Sequence, residues 1–181
     1  MNHLQTIFKD DDLVIVLCIY CHYKDQTEQT VTNLVASLLK QIVQHPQANL
    51  DNVKSLYTVH KNQGTRPTLD DFITAFGLET RSCSKVFIVV DALDECREED
   101  GTRARLLKAL RSLAGNVNLM VTSRDLPSIA RDFEGKKRLT IRARDEDVTM
   151  YIRGRITLGP RHLRNLEGTI VNKIVENVKG M

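Results

Sequence analysis

A chain of 181 residues with 41% apolar and 27% charged side chains is long enough for one domain with a buried core, and too apolar to remain disordered. A net charge of +3 is too mild to argue for nucleic acid, and no span approaches the roughly 20 apolar residues a membrane helix needs. The longest apolar run follows three aspartates, where a signal peptide would carry positive charge, so a cytoplasmic protein is expected, with neither membrane nor nucleic acid among its partners.

That run, Leu13 to Tyr20 (LVIVLCIY), is continuous, as in a strand covered on both faces. Cys18 and Cys21 make a C-x-x-C spacing there, but the second such pair of a zinc site is missing, and His22 points away from Cys21 in a strand. Ordinary buried thiols are therefore expected. In the next segment Val31, Leu34, Val35, Leu38, Leu39 and Ile42 recur at helical spacing, with Asp25 and Glu28 as a capping-box-like start and Pro46 beyond the end. Residues 50–62 read as a shorter helix. Gly64 to Pro67 make a turn, and Thr68 with Asp71 should cap a helix whose buried stripe is Leu69, Phe72, Ile73 and Phe76.

Lys85 to Asp91 (KVFIVVD) is the second strand. The acids of Arg97 to Asp100 suit the first turn of the helix that follows, marked by Leu106, Leu107, Leu110 and Leu113 and ending near Gly115. Val117 to Arg124 is a third strand and Lys137 to Ala143 a shorter fourth. Asp145 should cap a helix carrying Val148, Tyr151, Ile152 and Ile156, which Leu158-Gly159-Pro160 breaks. Leu163 to Val178 reads as one last helix before Gly180-Met181. Strands alternating with helices imply an α/β fold with a mainly parallel sheet and right-handed crossovers.

In an open parallel sheet, ligands bind beyond the carboxyl ends of the strands. Asp91 ends the second strand, Asp94 and Glu95 follow it by one short turn, and Thr122, Ser123 and Arg124 end the third. An acid after one strand and an arginine after the next is what phosphoryl transfer needs. The acid holds Mg²⁺, the arginine meets the charge of the terminal phosphate, and a second acid orients water. The plainer reading makes Asp91, Asp94 and Glu95 capping or solvated acids; the second motif in its proper place favours the nucleotide site.

The stretches from Lys85 to Leu110, Asn116 to Gly135 and Arg138 to Ile156, with Cys21 to Val43, resemble the NACHT domain of fungal signalling proteins, of the nephrocystin-like N-terminal type within the STAND class of P-loop NTPases. The resemblance covers nearly the whole chain. It implies a three-layer P-loop fold with sheet order 5-1-4-3-2, a Walker B motif at Asp91 to Glu95 and a sensor arginine at Arg124. In that scheme Asp91 binds Mg²⁺ through water, Asp94 or Glu95 positions water, Arg124 reads the γ-phosphate, and Ser123 joins Asp91 in holding ATP. The family's phosphate loop and first strand have no counterpart in these 181 residues, and they supply the backbone N–H cradle and the lysine. The expectation is a partial NACHT core over residues 1–160, followed by the start of a truncated helical segment over 161–181. ATP and Mg²⁺ would not be held stably, and Val117 to Thr122 would be left as a sheet edge, either beside a gap or forced against residues 138–142. Such a fragment of a signalling switch would be inactive alone. The alternative is a non-catalytic remnant that docks on intact NACHT proteins, which themselves form oligomers.

Other features carry less. The basic run Gly135 to Arg144 has no interleaved aromatics, and His3, His22, His45, His60 and His162 show no ligand spacing. No Ser-His-Asp order or nucleophile elbow points to a hydrolase.

Overall fold

Three strands, β1 (Val14–Tyr20), β2 (Lys85–Asp91) and β3 (Val117–Val121), form a parallel sheet in the order β1-β2-β3. The computed structural model describes residues 2–45, 50–113 and 116–178; Pro46, Gly115 and Gly180-Met181 lie outside the described residues. The register runs from Val14 opposite Lys85 to Tyr20 opposite Asp91, and from Val86 opposite Val117 to Val90 opposite Val121. The carboxyl ends of the three strands therefore stand side by side, as their parallel pairing requires.

The apolar runs form strands because their residues are buried. Val86, Ile88 and Val90, which share one face of β2, are fully buried, as is Leu17 of β1 almost completely. They join one core cluster with Val35, Leu38 and Ile42 of α2 (Val31–Val43), Phe76 of α4 (Leu69–Glu79) and Leu106, Leu107 and Leu110 of α5 (Thr102–Ser112). Phe87, on the opposite face of β2, stacks on Phe8 at 5.3 Å between ring centroids, just beyond α1 (Asn2–Ile7). The side of β1 that no strand covers among the described residues is partly closed by Gln41 of α2. Its side-chain amide accepts from the Cys18 N–H at 2.9 Å and donates to the Cys18 carbonyl at 2.8 Å, standing in for a strand neighbour.

Two other predicted elements form as read. α3 (Asp51–Gln63) ends on Gly64 in the left-handed region, and the Thr68–Asp71 capping box opens α4 with both reciprocal hydrogen bonds. Several expectations are corrected. The cap of α2 is Thr30, whose hydroxyl accepts from the Asn33 N–H at 3.2 Å, while Asp25 lies in a separate 3-10 turn (Tyr23–Asp25). The helix α5 starts at Thr102 with no acid in its first turn; Asp100 acts from just outside, accepting the Thr102 N–H at 2.9 Å. A short helix α6 (Pro127–Asp132), opened by its proline, was not anticipated.

The fourth strand does not form. Residues 137–143 have no ladder partner, and Leu139 and Ile141 are 82% and 84% exposed. Alternation alone cannot make a strand when no edge receives its hydrogen bonds. β3 is accordingly left at the edge of the sheet.

The chain divides into two compact units, residues 1–134 and 135–181. Within the second, α7 (Asp145–Leu158) and α8 (Glu167–Val178) bury Ile152, Ile156 and Val171. Asp145 is the first helical residue of α7 and Arg144 occupies the cap position, while Tyr151, expected inside, is exposed. The predicted last helix is split, because Arg161–Leu166 forms a 3-10 segment before α8 begins. Among the described residues no helix is long and apolar enough to cross a membrane.

Candidate functional site

The register that aligns the strands also assembles the predicted site residues. Val90 pairs with Val121, so the next residues, Asp91 and Thr122, stand level at the carboxyl edge of the sheet. The Thr122 hydroxyl donates to the Asp91 carboxylate and accepts the Ala92 N–H at 3.0 Å, while the Thr122 carbonyl accepts the Leu93 N–H at 2.9 Å. One threonine thus fixes the acid and the turn that leaves it. That turn is strained at Ala92, whose φ of 54° and ψ of 50° lie in the left-handed region that a side chain disfavours by about 1–2 kcal/mol. Among the described residues Ala92 is the one non-glycine with positive φ. Such strain persists where surrounding contacts over-determine it, and it clusters at functional sites.

The strained turn leads into a 3-10 segment (Leu93–Glu95) that directs two acids apart. Asp94 meets Arg124: one carboxylate oxygen accepts the guanidinium Nε at 2.6 Å and the other accepts the Arg124 backbone N–H at 3.0 Å. The Asp94 side chain is 4% exposed and that of Arg124 is 77% exposed, so the acid is the fixed partner and the guanidinium is turned to solvent. Burial opposes ionisation of Asp94, but the side-chain and backbone hydrogen bonds from Arg124 outweigh it and hold the carboxyl below the usual carboxylate range. Glu95 turns the other way. Its carboxylate accepts the Tyr23 N–H at 3.0 Å, and its carbonyl accepts from the Gln26 side chain at 3.2 Å. Ser123 donates to the carbonyl of Arg124 at 2.9 Å. Asp91 and Thr122 therefore come together, as do Asp94 and Arg124, while Glu95 and Ser123 are engaged with backbone.

Three features were not legible beforehand. Arg103 is buried, paired with Glu98 and donating to the Ser128 hydroxyl at 3.1 Å. An open cavity of about 450 Å³ is lined by Glu98, Arg103, Ser128 and Arg131 and includes neither Asp91, Asp94 nor Arg124. Its size does not make it the chemical site, because the strained turn and the converging strand ends lie elsewhere. Third, Cys21 and Cys96, 75 positions apart in the chain, are both buried in the same core cluster. Among the described residues no group of three or more His, Cys, Asp or Glu side chains is placed to hold a metal ion. A Mg²⁺ ion would fit only with Asp91 as its single carboxylate and phosphate oxygens completing its shell, a coordination common for this ion.

Compared with known families, residues 1–124 match the family described as nephrocystin 3, N-terminal. Neither the curated proteins nor the solved structures contain a match.

Proposed function

The chain belongs to the nephrocystin 3, N-terminal family, and on that premise we propose that it is part of a NACHT-type ATP-binding signalling switch. It supplies the acid-and-arginine half of the nucleotide site. The observation that carries this reading is the paired arrangement at the strand ends, Thr122 on Asp91 and Arg124 on Asp94, around a strained Ala92. The order β1-β2-β3 supports it, being what strands 2, 3 and 4 of a 5-1-4-3-2 P-loop sheet would give.

In this reading Asp91 is the Walker B acid and holds Mg²⁺ through water, with Ser123 beside it toward the nucleotide. Asp94 orients Arg124 toward the terminal phosphate, and Asp94 or Glu95 positions water. The ion, when bound, supplies charge neutralisation on the phosphates. Arg124 is ready for the role because its exposed guanidinium engages Asp94 through Nε and carries further N–H donors at its tip. These 181 residues include no G-x-x-x-x-G-K-[ST] loop, so their hold on ATP is weak, and hydrolysis by them alone is not expected.

A second reading, a non-catalytic module that docks on intact NACHT proteins, is favoured by the open edge of β3, where Met120 is exposed and no further strand pairs among the described residues. Titrating Mg·ATP into the 181-residue chain by calorimetry separates the two. Weak binding that disappears in Asp91→Ala and in Arg124→Ala supports the nucleotide half-site. Binding indifferent to both substitutions refutes it, and no binding at millimolar ATP transfers the argument to the docking module.

A further inference from the structure

The cavity of about 450 Å³ lies within residues 1–134 and takes no part in the nucleotide reading. Its walls come from two segments that diverge from the Asp94–Arg124 pair: Glu98 follows Asp94 by four residues, and Ser128 follows Arg124 by four. The segments meet again on Arg103, in the first turn of α5. Its Nη2 is paired with the Glu98 carboxylate and donates to the Ser128 hydroxyl at 3.1 Å. The two ends of this ion pair differ sharply, for the Arg103 side chain is 5% exposed and that of Glu98 is 58% exposed. Backbone hydrogen bonds fix the turn that carries Glu98. The Gly101 N–H donates to the Glu98 carbonyl at 2.9 Å, and the Arg103 N–H donates to the Arg97 carbonyl at 3.0 Å. Arg131 and Asp132, both exposed, complete the charged lining.

We propose that this cavity is a binding site for a small phosphate monoester, whose oxygens take the place of the Glu98 carboxylate on Arg103. A buried guanidinium must keep an anionic partner. The anion it now holds belongs to a side chain more than half exposed, so the carboxylate can turn out to solvent while the guanidinium stays in place. The Ser128 oxygen accepts from Arg103, which leaves its O–H to be donated to a ligand. Arg131 supplies a second guanidinium at the rim. With Glu98 turned out, two guanidiniums face a single carboxylate, that of Asp132, and the lining favours an anion. A ligand carboxylate gains little over Glu98, which is tethered beside its partner. A phosphate monoester gains more. It carries close to two negative charges and three terminal oxygens, enough to engage Arg103, Ser128 and Arg131 together. The volume exceeds what one phosphate group needs and lies in the range of small-ligand pockets, which leaves room for an organic group. A ligand bound there would clamp the turn that carries Glu98 to the start of α6, and with them the segments that leave Asp94 and Arg124.

The site does not depend on ATP binding. The experiment titrates phenyl phosphate, inorganic phosphate and phenol into the 181-residue chain by calorimetry, with melting curves in parallel. Phenyl phosphate should bind, inorganic phosphate should bind more weakly, and phenol should not bind. Glu98→Gln removes the competing carboxylate at an exposed side chain and should tighten phenyl phosphate by roughly tenfold. Without ligand this variant should melt below wild type, because Arg103 has lost its anion, and phenyl phosphate should restore the difference. Arg131→Ala, a surface change, should weaken binding by roughly the same factor. Asp91→Ala should leave the affinity unchanged, which separates this cavity from the nucleotide half-site. No binding to wild type or to Glu98→Gln at millimolar phenyl phosphate would overturn the site, as would an affinity indifferent to Glu98→Gln and Arg131→Ala or one lost in Asp91→Ala. Equal affinity for inorganic and phenyl phosphate would overturn the monoester assignment. Wild type and Arg131→Ala carry the test if Glu98→Gln folds poorly.

Discussion

Residues 1–134 bury Phe76, Leu38, Ile88, Leu93, Leu106 and Val90 completely within one continuous cluster spanning a sheet and its helices, whereas residues 135–181 bury Ile152, Ile156 and Val171 between two helices and leave Leu139, Ile141, Met150, Tyr151 and Leu158 exposed. The difference lies in connectivity as much as in composition. In the first unit each strand pairs with a neighbour far away in sequence, so each apolar residue closes a long loop and reports on the whole unit. In the second, contacts are local, and little apolar area offsets the entropy of ordering the chain. The candidate site sits in the first unit, where a strained turn can be held.

The largest effect should come from attacking that contrast directly. Phe76→Ala removes a fully buried ring and should destabilise the first unit by about 3–5 kcal/mol in denaturant unfolding. Ile156→Ala should abolish amide-exchange protection in α7 and α8 while β1 and β2 keep theirs. If Ile156→Ala unfolds the sheet as well, the two units are one cooperative body and the comparison fails.

A smaller effect tests whether the turn after β2 draws on the depth of the first unit. Thr122→Val keeps the shape but leaves the Ala92 N–H without its acceptor and Asp91 without its donor, at a cost of about 1–3 kcal/mol. Thr122→Ser, which restores the hydroxyl, should recover most of the loss in thermal melts. Equal stability of the valine and serine variants would mean that the hydroxyl does not hold the turn.

The mildest test is pH. Asp94 is more acidic folded than unfolded, so the unfolded state binds the proton first as pH falls. Its contribution is complete above the ordinary aspartate value of about 3.9 and is lost as pH drops through the lower folded value. Melting curves between pH 5 and pH 2 should therefore show a steeper loss for wild type than for Asp94→Asn. Parallel curves would remove Asp94 from the stability of the site.

Much of this was legible in the residues, for identifiable reasons. The apolar runs at Leu13 to Tyr20 and Lys85 to Asp91 read correctly because burial on both faces leaves little ambiguity. The Thr68–Asp71 cap read correctly because it is local chemistry within four residues. The strand expected at 137–143 failed because a strand is defined by its partner, and alternation in one segment says nothing about the edge it must meet. Asp25 lost the cap of α2 to Thr30 because either residue type can serve and only the path of the chain chooses between them.

The sequence by itself determined the α/β class, the parallel sheet, and the placement of Asp91 at the end of β2, since periodicity is a property of short segments, whereas the strand read as running to Arg124 stops at Val121 and leaves Arg124 in the loop beyond it. Only the tertiary structure decided that Thr122 locks Asp91, and that Asp94 takes Arg124 while Glu95 turns to Tyr23. These pairings join residues 30 to 72 positions apart, and their geometry exists only once the register of β1, β2 and β3 has set which side chains stand level.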